Sequence, residues 1–321
     1  MTYPHNIEQK IDFQVIRDCL KSCCTSSLGK ERVDEMLWVN HYKTVQNRLA
    51  HLREMMSVLT DSSLSFPQGD IYDLREALAR IRVEGLFMDE NELFSLRKML
   101  DYVGQLERFF TLLDREKYPL LASLPLTSFP SHLIVAIDRI IDRYGKMKDS
   151  ASPELARIRK DIAQSQGSVS RALNAILRQA QADGLLDKDA VPTMREGRLV
   201  LPVPPAYKRK IGGIVHDESA TGKTVFIEPQ QVVEANNRIR ELEGEERRER
   251  MRILLEMTEY IRPEISHVLA SEEFLADVDF LRAKALFAED IEAIVPEVHN
   301  QPMLDWREAR HPILLLNFRK Q

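Results

Sequence analysis

The architecture of this chain is indicated by residues 189–229, which read DAVPTMREGRLVLPVPPAYKRKIGGIVHDESATGKTVFIEP. Prolines, glycines and β-branched residues are concentrated here, whereas long helical patterns of nearly equal length lie on both sides. Three short strands are predicted, at Leu199–Val203, Ile211–His216 and Thr224–Glu228, separated by proline and glycine turns. A small β-rich module between two long helices suggests a protein that grips something large.

The two flanking patterns are predicted to form long helices. Ser152 can cap the first helix, and Pro153 suits its first position. The apolar period of this helix continues to about Gln181, and a second pattern runs from about Val232 to Ile261. Each has about 30 residues, or about 45 Å at 1.5 Å per residue. We therefore predict a mainly α protein, in which a helical core carries a long antiparallel two-helix lever with a β-rich clamp at its tip.

The rest of the chain shows helical periodicity, with one apolar stripe per segment. Helices are predicted at about 42–59, 71–81, 93–113 and 134–144. The apolar run Ile313–Leu316 is interpreted as the first strand of a further domain. The predicted organisation is a first part of the helical core at 1–150, an outbound lever helix at 151–188, the clamp at 189–231, a return lever helix at 232–262, a second part of the core at 263–308, and the start of a truncated ATPase domain at 309–321.

Composition limits the classes of function. With 44% hydrophobic and 30% charged residues, the sequence is typical of a soluble globular protein. The formal net charge of −5 gives no overall nucleic-acid signature, so such binding would need a local basic patch. The N-terminal MTYPHNIEQKIDF is unlike a signal peptide, and no run of 18 apolar residues occurs. We expect a cytoplasmic protein without a membrane partner.

The three cysteines form one cluster, Cys19, Cys23 and Cys24. Such a cluster could bind a metal or take part in redox chemistry, but no histidine pair stands at zinc-like spacing. On a helix, Cys19 and Cys23 share a face with Ile16 and Leu20, which favours small buried thiols. No metal site, cofactor site or catalytic constellation is predicted in these residues.

Three short motifs resemble known sites but favour structural roles. The segment Gly222-Lys223-Thr224 ends like a P-loop, but Asp217 stands where the first glycine is required, and a strand-like run follows instead of a helix. A turn between two strands explains the same glycine. Residues 134–138, IVAID, resemble a Walker B run with helical periodicity. Phe226 and Glu228 match a Phe-x-Glu mismatch wedge, although Phe226 is expected to pack the β module.

The basic residues of the β-rich segment are candidate phosphate contacts. Between positions 195 and 210 they are opposed only by Glu196. At the end of a long arm such a patch could follow a phosphate backbone, and an ordinary solvated rim explains it equally well. The predicted nucleic-acid-binding residues are Arg195, Arg198, Lys208, Arg209, Lys210 and Lys223.

Several longer segments together resemble the MutS family. They are DSASPEL at 149–155, Arg195 with GR at 197–198 leading into LPV at 201–203, GIVHDESATGKTVFIEP at 213–229, NN at 236–237, and ARHP at 309–312. The similarity covers nearly the whole chain in the expected order. It is specific to the MutS-II branch, which lacks the mismatch-recognition domain.

This resemblance implies a helical core, two lever helices and a clamp, followed by a dimerising ABC-type ATPase and, in many relatives, a small Smr nuclease domain. The chain stops just after the ARHP segment, so we expect it to hold core, lever and clamp only. ATP and Mg²⁺ are expected for the full-length protein, with homodimerisation, ATPase activity and Smr-type endonuclease activity. None of these activities is assigned to a residue of this chain.

Three hypotheses for function follow. The first is a clamp that grips branched or duplex DNA through its backbone and suppresses homologous recombination in the full-length protein. The second keeps the architecture but has the clamp bind ribosomes, and hence rRNA, in the rescue of collided ribosomes. The third is a purely structural helical arm that binds no nucleic acid.

Overall fold

The computed structural model describes residues 6–124 and 129–319, which are mainly helical with one small antiparallel sheet. The chain divides into two compact units: one contains residues 1–138 and 257–321, the other residues 139–256. We call them the helical unit and the sheet unit. The helices are α1 Ile7–Lys10, α2 Phe13–Cys23, α3 Ser27–Asp34, α4 Tyr42–Thr60, α5 Arg75–Arg80, α6 Glu90–Leu112, α7 His132–Ile140, α8 Pro153–Ala182, α9 Lys208–Ile211, α10 Gln230–Ile261, α11 Ile265–Asp290 and α12 Pro312–Arg319. The strands are β1 Thr193–Arg195, β2 Arg198–Val203, β3 Gly213–Glu218 and β4 Val225–Pro229.

In the helical unit, α11 is the central element, with α2, α3, α4 and α6 packed against it. Two buried carboxylates of α11 fix neighbouring backbone. Glu272 accepts a hydrogen bond from the Leu74 amide at 2.7 Å, and Asp279 accepts the amides of Thr25 and Ser26 at the start of α3. Burial raises the pKa of Glu272 to about 7. The helical core is therefore joined by specific polar contacts as well as by apolar packing.

The sheet unit contains α8 and most of α10, which run antiparallel. The polar contacts between the two helices show this direction, because residue numbers increase along α8 while those of the partners on α10 decrease. Ser152 Oγ donates to Glu249 at 2.6 Å, and Arg159 pairs with Glu246 at 2.8 Å. The helices have 30 and 32 residues, close to the predicted lengths, and Ser152 caps α8 by accepting from the Leu155 amide, as predicted.

The sheet has the order β1-β2-β4-β3 and is antiparallel throughout. In register, Ile227 of β4 faces Leu201 of β2 on one side and Val215 of β3 on the other. Val225 and Ile227 belong to one apolar cluster with α8 and α10. Alternation directs Phe226 and Glu228 to the opposite side of the strand. The strand β1 was not predicted, and Ile211 ends α9 instead of beginning a strand.

Three further predictions are corrected. The helix expected at 71–81 spans only Arg75–Arg80, because Asp73 and Glu272 accept the Arg75 and Leu74 amides. The helix expected to reach Tyr144 ends at Ile140, where the carboxylate of Asp142 accepts two later amides and forms a turn. Residues 313–316 lie in α12 and not in a strand. Proline suits the first position of that helix, and leucine is a strong helix former.

Candidate nucleic-acid interface

Three adjacent cations lie on α9, the single helical turn between β2 and β3. Tyr207 and Ile211, four residues apart, pack their side chains against the apolar cluster of the sheet unit. Lys208, Arg209 and Lys210 lie between these two anchors, and all three are exposed. We call these three residues the α9 cations. In the described parts of the chain, no carboxylate is placed within ion-pair distance of them.

Lys223 lies in the turn that joins β3 to β4. The Gly222 amide donates to the Ser219 carbonyl at 2.8 Å, and the Ser219 amide donates to the Thr224 carbonyl at 2.8 Å. Gly222 has a φ of +66°, a conformation that glycine adopts without strain. The structure thus confirms that the Gly222-Lys223-Thr224 segment is a turn between strands.

The structure does not bring Lys223 together with the α9 cations. The chain enters β3 at Gly213, just after α9, and leaves it at Glu218, just before the turn with Lys223. The first and last Cα atoms of a six-residue strand lie about 17 Å apart. Glu218 is exposed beside the turn, so the surroundings of Lys223 are less positive than those of α9. The α9 cations therefore form the stronger half of the predicted patch.

Arg195 lies over the sheet and is partly neutralised. Its guanidinium carbon is 4.2 Å from the ring centroid of Phe226, and its Nε is 3.3 Å from Asp217 Oδ2. Phe226 is only 8% exposed, which confirms that it packs the β module. Because 43% of the Arg195 side chain remains accessible, this residue can reach a ligand at the cost of a surface ion pair.

Arg198 is used inside the sheet unit. Its Nη1 donates to both carboxylate oxygens of Glu228, at 2.7 and 3.0 Å, and its Nη2 donates to Asn237 Oδ1 at 2.6 Å. Only 13% of the Arg198 side chain is exposed, and none of Glu228 is. A guanidinium held in this way is not available for phosphate, so we revise the role of Arg198 from phosphate contact to positioning residue.

Glu228 is the centre of this polar network. It also contacts His216 Nε2 at 2.6 Å and accepts from Asn236 Nδ2 at 2.8 Å. Burial alone would raise the pKa of Glu228, but the hydrogen bonds from Asn236, His216 and Arg198 outweigh it and hold the pKa below its usual value. One buried carboxylate thus fastens β2, β3, β4 and α10 to each other.

The three cysteines pack in one apolar cluster of the helical unit, as predicted from their shared helix face. Cys19 and Cys23 are half-buried, and Cys24 is buried with its Sγ 3.4 Å from the Leu20 carbonyl. Burial raises the pKa of Cys24 to about 12 and also raises the pKa of Cys23, which disfavours the reactive thiolate. Across residues 6–124 and 129–319, no group of three or more His, Cys, Asp or Glu side chains is arranged to hold a metal ion.

Sequence comparison adds a decisive observation. The chain is 34% identical over 308 residues to the endonuclease MutS2 of Geobacillus sp. (strain WCH70), a match to 95% of this chain and 39% of the relative. The corresponding protein of Symbiobacterium thermophilum is 34% identical over 306 residues, matching 95% of this chain and 38% of the relative. This chain is homologous to MutS2 proteins. The predicted resemblance to the MutS family is confirmed.

A third MutS2 relative supports this assignment. The endonuclease MutS2 of Latilactobacillus sakei subsp. sakei is 31% identical over 314 residues, with 97% of this chain and 39% of the relative matched. The chain therefore spans about two-fifths of the length of the curated MutS2 relatives it matches. No family model matches it. Within the described ranges, no helix is both long enough and apolar enough to span a membrane.

The two units of this MutS2 homologue differ in net charge, a difference that the net charge of the whole chain does not reveal. The sheet unit contains 22 Lys and Arg against 18 Asp and Glu, a formal net charge of +4. Since the whole chain has −5, the helical unit has −9. A separate count of charge for residues 139–256 would have revealed the basic unit. These boundaries, however, were known only from the structure.

Two further features were missed at the sequence level. On α8, Lys160, Arg171 and Arg178 are exposed, and their spacing of 11 and 7 residues places them on the side opposite the buried apolar face. This stripe was predictable from helical periodicity alone. The role of Glu228 was also predictable in part, because a carboxylate within an apolar strand requires a hydrogen-bonding or cationic partner.

Proposed function

We propose that the sheet unit of this MutS2 homologue binds nucleic acid through the phosphate backbone, with the α9 cations as the main contact. The observation that carries this proposal is the set of three adjacent, exposed cations without a nearby carboxylate. The net charge of +4 on the sheet unit supports it, because an attractive local field raises the rate and strength of association with a polyanion.

The contacts are expected to be independent of base sequence. Lysine ammonium groups and exposed arginines on a single helical turn are suited to phosphate oxygens, and such contacts position a protein without reading bases. Arg195 and Lys223 contribute secondary contacts at other points of the sheet. The stripe of Lys160, Arg171 and Arg178 offers a further set of phosphate contacts along α8.

In the full-length protein, α8 and α10 serve as levers and the sheet with α9 as the clamp. We infer that ATP, bound with Mg²⁺ in a domain outside this chain, drives the opening and closing of this clamp in a homodimer. The substrate that best fits a clamp on long arms is branched or duplex DNA, and the resulting activity is the suppression of homologous recombination. The word endonuclease in the names of the MutS2 relatives supports a DNA-directed role.

Replacement of the α9 cations tests the proposal. Lys208→Ala, Arg209→Ala and Lys210→Ala combined should weaken binding to a DNA duplex by about tenfold or more near 0.1 M salt, equally for unrelated sequences. The slope of log affinity against log salt should become shallower by about 0.9 for each phosphate that the variant no longer neutralises. Fluorescence anisotropy across a salt series measures both quantities.

A charge-matched control uses Lys43→Ala, Arg82→Ala and Arg115→Ala, which removes three exposed cations from the helical unit. This control should retain the wild-type affinity and slope. Equal weakening in both triple variants would mean that only overall charge matters and would reject the assignment to α9. Complete absence of salt-dependent binding by the wild-type chain would favour the purely structural arm.

The phosphate chemistry alone does not distinguish DNA from rRNA. Competition between branched DNA and ribosomes for the full-length protein separates the two targets. Displacement of ribosomes by excess branched DNA, with both binding activities abolished in the α9 variant, would assign one clamp to both ligands. Retention of ribosome binding by the α9 variant would limit the α9 cations to DNA.

A further inference from the structure

The helical unit contains a cavity of about 1090 Å³, lined by apolar side chains together with four cationic and four acidic ones. It opens between α2, α4 and α11 and the segment of residues 35–39. Apolar side chains form much of its wall, among them Phe13, Leu49, Phe274 and Leu281. Ligand sites in proteins usually enclose about 300–1,000 Å³, so this cavity is large enough for a small organic molecule.

Four cationic side chains reach the cavity, and two of them are neutralised. Arg17 pairs with Glu8 at 3.2 Å, and Arg32 pairs with Asp277 at 2.8 Å. Glu35 also pairs with Arg32 at 3.1 Å, which leaves Glu273 as the remaining acidic side chain of the lining. Two cationic side chains of the lining lie outside these ion pairs.

The two remaining cations are Arg48 of α4 and Lys284 of α11. Neither has a carboxylate within ion-pair distance in the described part of the chain. Lys284 is half-buried, with its Nζ 4.1 Å from the ring centroid of Phe280. Burial, and secondarily the charge of Arg48, lower the pKa of Lys284 to about 8, whereas Asp277 acts in the opposite direction. Two like charges thus face one partly desolvated space.

We propose that this cavity binds an anionic amphiphile, a small molecule with an apolar body and one carboxylate, sulfonate or phosphate group. The anionic group would lie between Arg48 and Lys284 and relieve their mutual repulsion. The apolar body would cover the aromatic and aliphatic wall. Glu273 also lines the cavity, and the helical unit has a net charge of −9, so a polyanion such as nucleic acid is disfavoured.

Two fluorescent probes test this site on the whole chain: anionic 8-anilinonaphthalene-1-sulfonate and the neutral N-phenyl-1-naphthylamine. The wild type should bind one anionic probe per chain. Arg48→Gln combined with Lys284→Gln should weaken the anionic probe about tenfold and the neutral probe less than about twofold. The control Lys98→Gln removes a lysine that also lies over an aromatic ring, with Nζ 5.1 Å from the Phe94 centroid, but outside the cavity. It should leave both probes unchanged.

The pH dependence gives a second readout. Because Lys284 loses its charge as pH rises through about 8, the anionic probe should bind more weakly above that pH, and this dependence should vanish in Lys284→Gln. Arg48→Gln alone, at an exposed position, provides a variant with little risk to folding. Equal weakening of both probes, or an unchanged affinity of the anionic probe in the double variant, would overturn the proposal. Either result would show that the apolar wall alone, and not Arg48 and Lys284, determines binding in this cavity.

Discussion

Replacing Glu228 with alanine is expected to raise amide hydrogen exchange throughout β2, β3 and β4 by about 100- to 5,000-fold. The substitution leaves the guanidinium of Arg198 and the amide of Asn236 buried without their acceptor. Removing one partner of a buried ion pair costs about 3–5 kcal/mol, since the other charge remains desolvated. Exchange measured by mass spectrometry on peptides from 198–237 reports this destabilisation locally, and peptides from α6 should be unaffected.

Two companion variants make this result specific. Asp217→Ala removes the exposed partner of Arg195 in the same sheet and should cost about 1 kcal/mol or less. Glu228→Gln combined with Arg198→Met replaces the buried charges by neutral groups and should recover part of the protection. Wild-type exchange in β2–β4 of the Glu228→Ala variant would show that the network does not hold the sheet.

Acidification should reproduce this destabilisation without a mutation. The folded-state pKa of Glu228 lies below its ordinary value of 4.5, so the ionised carboxylate contributes stability above that pH. The contribution is lost as pH falls from 4.5 through the lower folded-state pKa. The protection factors of the β2–β4 amides, which correct for the slower intrinsic exchange in acid, should fall over this range in the wild type, and Glu228→Gln should remove this component.

Replacing Asp279 with alanine should have the largest effect in the helical unit. Its carboxylate accepts the amides of Thr25 and Ser26 at 2.9–3.1 Å and their hydroxyl groups at 2.9 and 2.6 Å. Gly29 permits this approach, because a Cβ there would lie 2.2 Å from Asp279 Oδ2. Loss of one buried carboxylate with four donors should reduce the free energy of unfolding by about 3 kcal/mol or more.

Urea unfolding, combined with hydrogen exchange of α2 and α3, measures this effect. The control is Asp277→Ala, two residues earlier on α11, which removes an exposed ion pair with Arg32 and should cost about 1 kcal/mol or less. A similar destabilisation in both variants would mean that Asp279 acts only through surface charge. Faster exchange at the start of α3 in Asp279→Ala alone would confirm its capping role.

The features predicted correctly from sequence are those set by local interactions. Ser152 and Pro153 define the start of α8 within one turn, and the periodic apolar residues of α8 and α10 define their length. The strand β1 was missed because its three residues gain strand structure only by pairing with β2.

The features that escaped prediction depend on contacts between distant positions. In the sequence, Arg198 is interpreted as a cation available for phosphate. The structure shows that it pairs with Glu228, which lies 30 residues later. The cavity near Lys284 requires helices that are more than 200 residues apart in the chain. The α9 cations are adjacent in the sequence, so their local concentration of charge could be recognised without the structure. The structure shows that all three are exposed.

Lysine labelling of the wild-type chain tests the central claim directly, because it requires no variant. Acetylation by an amine-reactive reagent, with and without a saturating DNA duplex at low salt, is quantified at each lysine by mass spectrometry. We predict that Lys208 and Lys210 become strongly protected and Lys223 partly protected, whereas Lys98 and Lys117, which pair with carboxylates in the helical unit, keep their rates. Unchanged labelling of Lys208 and Lys210 in the DNA-bound protein would contradict the account.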